Sequence, residues 1–450
     1  MKELIKKIIP SFVLNWYHRV LSALAAWIYR HPSRKMIVIG VTGTNGKSTV
    51  VNLIARILRE AGHNVGFTST VNFSDGKSER LNDLKMTMPG RFWLQRFLAR
   101  MVKNNCRYAV VESSSEGVLQ SRHKHIHYDA MVFTNLAPEH LERHGGFENY
   151  KQAKLELFRH LDSLPHKTLG GKKVMKSIIV NADDRFASEF FAFKADKKIL
   201  FSSQSRPTPL QKGFAGTNEL IQAENVQTKA EGSSFLVKGI DFKISLKGRF
   251  NVENSLAAIA AARGQDIDLS VCRDALEKIQ VVPGRMEEIN EGQKFKVVVD
   301  YAPEPNSLSA LYETIKSWPK NRLIHVLGST GGGRDRSRRK ILGRMAAAVA
   351  DVVIVTNEDP YDDDPEVIIN EVAQGAEEKG KVAGQSLFKI LDRKQAIKKA
   401  LRIAQKDDLV LITGKGAEQA IVVKKGNKIP WDDRRVVREE LKTLAAEEVG

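Results

Sequence analysis

Between residues 13 and 28 the apolar side chains Val13, Trp16, Tyr17, Val20, Leu24, Trp27 and Ile28 recur at three- and four-residue spacing, which predicts an amphipathic helix. Asn15, His18 and Arg19 interrupt the run, so the segment is too polar to span a bilayer and does not read as a signal peptide. Its apolar face is expected to pack on the body of the protein. Lys2, Lys6, Lys7, Arg19 and Arg30 would also suit a weak contact with a membrane surface. From Met36 the pattern becomes strand (MIVIGV), glycine-rich turn and helix (STVVNLIARILREAG, stopped by Gly62). Further apolar runs at 108–112, 130–134 and 177–181 predict strands, and the helical segments between them predict a mostly parallel sheet. Short runs punctuated by Gly, Ser and Thr over about 200–248 suggest antiparallel strands, and NSLAAIAAARG restores a helix. KVVVD, LIHVLG, VVIVT and LVLITG begin and continue a second α/β series. The expected division is a helical segment at 1–35, an α/β domain at 36–282 and a Rossmann-like α/β domain at 283–450, with the boundary at Pro283-Gly284.

With 450 residues and 42% hydrophobic content the chain is long enough for two or three domains, which excludes disorder. Cys106 and Cys272 are too few and too distant for a disulfide framework or zinc ribbon, which fits a reducing compartment and a cytoplasmic location. The 71 Lys and Arg against 53 Asp and Glu give a net charge of +18, which favours anionic partners without choosing among them. The basic residues are scattered among helices without interleaved aromatics, so nucleic acid is not expected.

The strongest chemical signal is Thr42-Gly43-Thr44-Asn45-Gly46-Lys47-Ser48, followed by Thr49, between a hydrophobic strand and a helix. Glycines let backbone N–H groups wrap phosphate oxygens, the helix N-terminus adds its positive pole, Lys47 supplies a point charge and Ser48 can reach magnesium. ATP is the expected ligand. Val41 stands where the general phosphate-loop pattern has its first glycine, so the loop is a variant. Glu112 ends a strand of the same sheet on the ligand-binding side, and His140 and Lys154 follow the next strand. Singly, each has a plain structural reading: a neighbour of a helix cap, a loop hydrogen bonder and a solvated helix residue.

Together these segments resemble the Mur ligase family, ATP-dependent ligases that add amino acids to the muramyl peptide of bacterial cell-wall precursors. The resemblance covers nearly everything after residue 32 and is greatest to members that add the third amino acid. It rests on TGTNGKS, ESSSEG, the EHL triplet, YxxAKxxLF, GRFNVENSLAAIA, PGRMEEI, DYAPEP, GGRDRSRRKILG, VTNEDPYDDDP, GKGAE and WDDRRVVREEL. It implies a mechanism through an acyl phosphate, with Lys47, Glu112, His140 and Lys154 in catalytic positions and two magnesium ions held by Ser48, Glu112, His140 and a carbamylated Lys154. By the same likeness Gly43 to Thr49, Asn251, Asn254, Asp300 and Arg334 contact ATP. Thr87, Ser114, Gln120 and Arg122 hold the acceptor, and Glu358, Asp359, Tyr361, Gly414 and Glu418 take the free amino acid. The C-terminal domain is expected to close about a hinge near Pro283.

Three departures bear on specificity. Only 35 residues precede the first strand, too few for the family's uridine-binding domain, so the nucleotide-sugar handle is held differently or the acceptor is another carboxylate. Tyr361 stands where an Arg would recognise the distal carboxylate of diaminopimelate, which speaks against that amino acid. Pro303 and Ala417 each replace a His. A folylpolyglutamate-synthase-like ligase and a nucleotide-binding regulator that has lost its chemistry stay open as alternatives. A subunit that amidates lipid precursors is opposed by the lack of zinc-binding cysteines.

Overall fold

A computed structural model describes residues 11–139, 141–204, 216, 218–333 and 336–449. Helix α1 (Ser11–Ile28) leads into a short turn of 3-10 helix at Pro32–Lys35 and then strand β1 (Ile37–Thr42). All six residues of β1 are buried, as expected for the middle of a parallel sheet covered on both faces. Helix α2 (Lys47–Glu60), β2 (Val65–Thr68), β3 (Asn72–Ser74), β4 (Glu79–Leu81), α3 (Arg91–Lys103) and β5 (Tyr108–Glu112) follow. Helix α4 (Ser115–Leu119), β6 (Ala130–Phe133), α5 (Phe147–Ser163), β7 (Ser177–Asn181), β8 (Lys197–Ser202) and β9 (Glu219–Gln222) complete a nine-stranded sheet, ordered β9-β8-β7-β6-β1-β5-β2-β3-β4. Pairings from β9 through β2 are parallel, while β3 and β4 run antiparallel at the edge.

The 200–248 stretch divides between two sheets. Its first strand, β9, joins the large sheet in parallel. Strands β10 (Glu224–Thr228), β11 (Ser233–Val237) and β12 (Ile240–Ile244) form the antiparallel sheet that the sequence pattern suggests. In β11 buried and half-buried residues alternate, the mark of a sheet with one covered face. Its core joins α2 and α6 (Arg249–Arg263), whose alanine-rich run is almost wholly buried.

The second sheet has six strands in the order β13-β14-β18-β15-β16-β17, where β13 is Glu287–Ile289, β14 Lys296–Val299, β15 Leu323–Leu327, β16 Val352–Thr356, β17 Leu387–Ile390 and β18 Leu409–Ile412. All pairs but β13 with β14 are parallel. Separate apolar clusters pack its two faces. Helix α6 (Arg249–Arg263) belongs to the first sheet's core and α7 (Pro305–Lys316) to the second's. Pro305 sets the start of α7, and Glu304 and Ser307 form a reciprocal cap there.

Helix α1 reverses the expectation for its apolar face. Its small residues Ser22, Ala25 and Ala26 are buried, and its neighbour is α3. Trp16 is 65% exposed and Trp27 70% exposed, and Val13, Tyr17, Val20, Leu24 and Ile28 are exposed with them. Small side chains permit close approach of the two helices, which turns the bulky face outward. Among the described residues no helix is long and apolar enough to cross a membrane.

Candidate active site

The phosphate loop sits at the C-terminal end of β1, where the strand must turn sharply into α2. Gly46 adopts φ +82°, and a Cβ there would lie 2.2 Å from Asn254 Oδ1. At Gly43 a Cβ would lie 1.9 Å from Thr134 Oγ1, so both positions need glycine for space as well as conformation. The loop is pinned from the next strand: Asn45 N–H donates to Asn135 Oδ1 at 2.9 Å, and Thr134 Oγ1 donates to Asn45 O at 2.7 Å. Lys47 Nζ donates to Thr44 O at 2.6 Å.

A cavity of about 580 Å³ opens above this loop and is lined by both α/β halves. It brings together Thr44 to Thr49, Thr87, Glu112, Ser114, Gln120, Arg122, Lys154, Asn254 and Asp300. Ser48 Oγ donates to Glu112 Oε2 at 2.8 Å. Glu112 is buried and also accepts from Thr70 N–H at 2.7 Å and Thr70 Oγ1 at 2.9 Å, so its two oxygens are fixed on the cavity wall. Thr70 Oγ1 reaches Thr87 Oγ1 at 2.9 Å, which links this carboxylate to the acceptor side of the cleft.

Lys154 does not lie on a solvated helix face. It is 1% exposed, its Nζ donates to Gly43 O at 2.7 Å, and it stands 4.4 Å above the Tyr150 ring. Burial, and after it the charge of Lys47, holds the amine well below the ordinary lysine range despite Glu139 and Glu112. Tyr150 hydrogen bonds Thr44 Oγ1 at 3.1 Å and donates to Glu139 Oε2 at 3.4 Å. Gly43 lies beneath the cavity and contributes its carbonyl to Lys154. Asn251 is buried one layer back, where its Oδ1 accepts from Asn254 Nδ2 at 3.1 Å.

On the acceptor side Ser114 caps α4, accepting from Gly117 N–H at 3.2 Å. Arg122 donates to Gln120 Oε1 at 2.6 Å and to Met88 O, and Arg91 donates to Gln120 O at 2.7 Å. Arg122 Nε is buried without a hydrogen-bond partner among the described residues. Two guanidinium groups around one glutamine suit an anionic ligand. Across the cleft Asp300 accepts from the Met286 and Ala302 N–H groups at 2.7 and 2.8 Å. Burial raises its carboxyl, with Arg285 opposing.

The expected amino-acid residues form a neighbouring cluster outside this cavity. Lys415 donates to Asp359 Oδ1 at 2.9 Å and to Glu418 Oε2 at 2.6 Å. Lys85, from the first half, reaches Asp359 Oδ2 at 2.5 Å, Glu418 Oε2 at 3.1 Å and Ala420 O at 2.9 Å. Both carboxylates are therefore engaged by protein cations. Glu358 is buried, accepts from Thr330 Oγ1 at 2.6 Å and is raised by burial; a Cβ on Gly414 would strike its Oε2. Tyr361 takes φ +53° and packs its ring against Gly332. His140 and Arg334 lie outside the described residues.

Sequence reasoning did not single out Thr70, Lys85, Tyr150 or Lys415 as site residues. Tyr150 and Lys415 sit inside quoted segments, YxxAKxxLF and GKGAE, whereas Thr70 and Lys85 carry no motif signal. Among the described residues no three His, Cys, Asp or Glu side chains form a ready metal cage. The Ser48 hydroxyl and Glu112 carboxylate are hard oxygen donors, the kind a magnesium ion uses when phosphates and water supply its other ligands.

Two family models match the chain: Mur ligase middle domain over residues 41–262, and Mur ligase, glutamate ligase domain over 284–416. The UDP-N-acetylmuramyl-tripeptide synthetase of Borreliella burgdorferi is 36% identical over 436 residues, 96% of this chain and 81% of that protein. The UDP-N-acetylmuramoyl-L-alanyl-D-glutamate–2,6-diaminopimelate ligase of Syntrophomonas wolfei is 34% identical, covering 94% of this chain and 81% of that protein. A solved structure of a ligase with the same name is 29% identical with a TM-score of 0.58, over 91% of this chain and 79% of that one. The fold extends to folylpolyglutamate synthase of Mycobacterium tuberculosis, with a TM-score of 0.65 at 16% identity and 94% of both chains covered. A phosphate loop facing a buried carboxylate and lysine, and relatives more than a third identical along nearly the whole chain, lead to one conclusion: this protein belongs to the Mur ligase family.

Proposed function

We propose that the chain is an ATP-dependent ligase that joins the carboxylate of a UDP-muramyl-peptide-like acceptor to the amine of an amino acid during synthesis of peptidoglycan precursors. The reading is carried by the convergence of Lys47, the Ser48–Glu112 pair and buried Lys154 on one cavity shared by both halves. A carboxylate is a poor electrophile in water. Its oxygen attacks the γ-phosphorus of ATP, ADP departs, and an acyl phosphate forms. The amine, in its free-base form, then attacks the carbonyl carbon and gives up a proton to solvent, and phosphate leaves carrying the carboxylate's oxygen. Lys47 and the loop N–H groups offset charge on the moving phosphoryl group. Closure of the second half orients the amine and excludes water.

In this reading magnesium, when bound, neutralises the phosphates, and Ser48, Glu112 and His140 are its protein ligands. Burial lowers the proton affinity of the Lys154 amine and so favours the free base that adds carbon dioxide; Lys154 therefore suits carbamylation, which would make it an anionic ligand for a second ion. Gly43 to Thr49, Asn251, Asn254, Asp300 and Arg334 hold the nucleotide, and Thr87, Ser114, Gln120 and Arg122 hold the acceptor. Glu358, Asp359, Tyr361, Gly414 and Glu418 surround the amino acid, which enters by displacing part of the lysine–carboxylate cluster. The domains divide at 283, with the hinge beside Pro283. The free thiols Cys106 and Cys272 support a cytoplasmic setting.

Phosphate release from ATP tests the reading, with UDP-muramyl dipeptide or a pteroylglutamate as acceptor and a panel of amino acids including lysine and diaminopimelate. Release that requires both a UDP-muramyl acceptor and one amino acid supports it. Release unaffected by every acceptor and amino acid, and unchanged in Lys154→Ala, overturns it. Recovery of Lys154→Ala by a short carboxylic acid would support the carbamate.

A further inference from the structure

The exposed face of α1 is unexplained by the ligase chemistry. At 3.6 residues per turn, Val13, Trp16, Tyr17, Val20, Leu24, Trp27 and Ile28 fall within an arc of about 120°. All seven are exposed, including both tryptophans. An apolar stripe of this size on a helix that packs by its opposite side requires a partner.

Charge identifies the partner. From Ser11 to Met36 the chain carries Arg19, Arg30, Arg34 and Lys35 and no Asp or Glu. None of these four side chains has an ion-pair partner among the described residues. Arg19 lies on the flank of the stripe and, with Arg34, Lys124, His31, His125, His127 and His160, lines a separate cavity of about 390 Å³. Burial, and after it Lys167 and Arg34, holds His127 down to about 4, while Glu156 pairs with Lys124 at 2.7 Å. Aromatic and aliphatic anchors beside unpaired arginines match the boundary between acyl chains and anionic headgroups. A protein interface would place matching acids on its partner; a bilayer needs only a negative surface.

We propose that α1 seats this protein on anionic membranes, with the Trp16–Ile28 stripe entering the interface and Arg19 and Arg34 meeting headgroup phosphates. The seat is joined to the cleft, because the Arg91 guanidinium contacts His18 of α1 while donating to Gln120 O on the acceptor side. The arrangement holds the cleft beside the bilayer.

Co-sedimentation of the full chain with sucrose-loaded vesicles decides the matter, comparing phosphatidylglycerol mixed with phosphatidylcholine against phosphatidylcholine alone. The protein should pellet with the anionic vesicles, bind neutral ones at least about tenfold less, and release at high salt. Trp16→Ser with Trp27→Ser, and separately Arg19→Glu with Arg34→Glu, should each weaken binding at least about tenfold. ATP turnover should stay unchanged in both, since neither pair lines the catalytic cavity. No binding to anionic vesicles, or equal binding by both double variants, overturns the proposal. So does a dimer, seen by sedimentation equilibrium, that the tryptophan changes dissociate while vesicle binding is absent.

Discussion

Replacing Lys154 by Met separates a lysine buried for chemistry from one buried for stability. Among the described residues the amine makes one hydrogen bond, to Gly43 O at 2.7 Å, and no carboxylate stands at salt-bridge distance. Losing that bond costs about 1 kcal/mol. Against this, burial and after it Lys47 depress the amine's affinity for protons in the native protein. The unfolded chain binds a proton at every pH below 10.5, whereas the folded chain lacks it between its own lowered pKa and 10.5. Stability therefore rises with pH across that window, by up to about 1.4 kcal/mol per pH unit. Methionine fills similar volume and removes the term, so at pH 7 the variant should be as stable as the parent or more stable by about 1–3 kcal/mol. Its stability should also rise less steeply with pH, while ligase turnover falls by at least about a hundredfold. Urea denaturation at pH 7 and pH 9 in buffers free of carbon dioxide measures both quantities. A loss of more than about 3 kcal/mol, or a steeper pH dependence in the variant, would show that Lys154 is a structural cation and refute the reasoning.

Three further perturbations follow from the geometry. Thr70→Val removes a hydroxyl that fixes Glu112 but keeps the backbone bond; kcat/KM at limiting magnesium should fall about tenfold, and an unchanged magnesium dependence would count against Glu112 as an ion ligand. Lys85→Met deletes the contacts to Asp359, Glu418 and Ala420 that cross between the two halves, worth about 2 kcal/mol or about 30-fold in the closing equilibrium. Small-angle scattering should report a more open particle and kinetics a higher KM for the amino acid; no change in either argues against a latch. Asp433→Ala strands the buried Arg393 guanidinium, which Asp433 grips at 2.8 and 2.7 Å, and should destabilise the C-terminal half by about 3–5 kcal/mol in urea unfolding followed by Trp431 fluorescence.

The elements of the site that local chemistry dictates were legible in the chain itself. A buried strand running into Gly43 and Gly46 leaves little choice of geometry, and Glu112 at the end of a neighbouring strand has to face the same edge. What could not be read locally is supplied by tertiary neighbours. Thr70 and Lys85 occupy connecting segments with no periodicity, and they reach the site only because the edge strands β3 and β4 fold back beside α2 and the second half closes on them. Lys154 shows how a residue's role depends on packing: its helical position alone allowed a solvated side chain, and only the loop carbonyl above it reveals burial. Periodicity located α1 and its two faces but not which face docks. That was settled by Ser22, Ala25 and Ala26, whose small size admits the neighbouring helix where two tryptophans would not. The WDDRR segment stands out through family likeness, yet its Asp433 holds Arg393, whose guanidinium in turn donates to Thr413 O just past β18.

If this cavity makes a carboxylate reactive by phosphorylating it, one carboxylate oxygen must depart with the phosphate. An acceptor carrying oxygen-18 in its free carboxylate tests this most directly, with the inorganic phosphate released during amide formation analysed by mass spectrometry. Transfer of one labelled oxygen to each phosphate is the expected result. Amide formation that yields unlabelled phosphate would rule out an acyl phosphate.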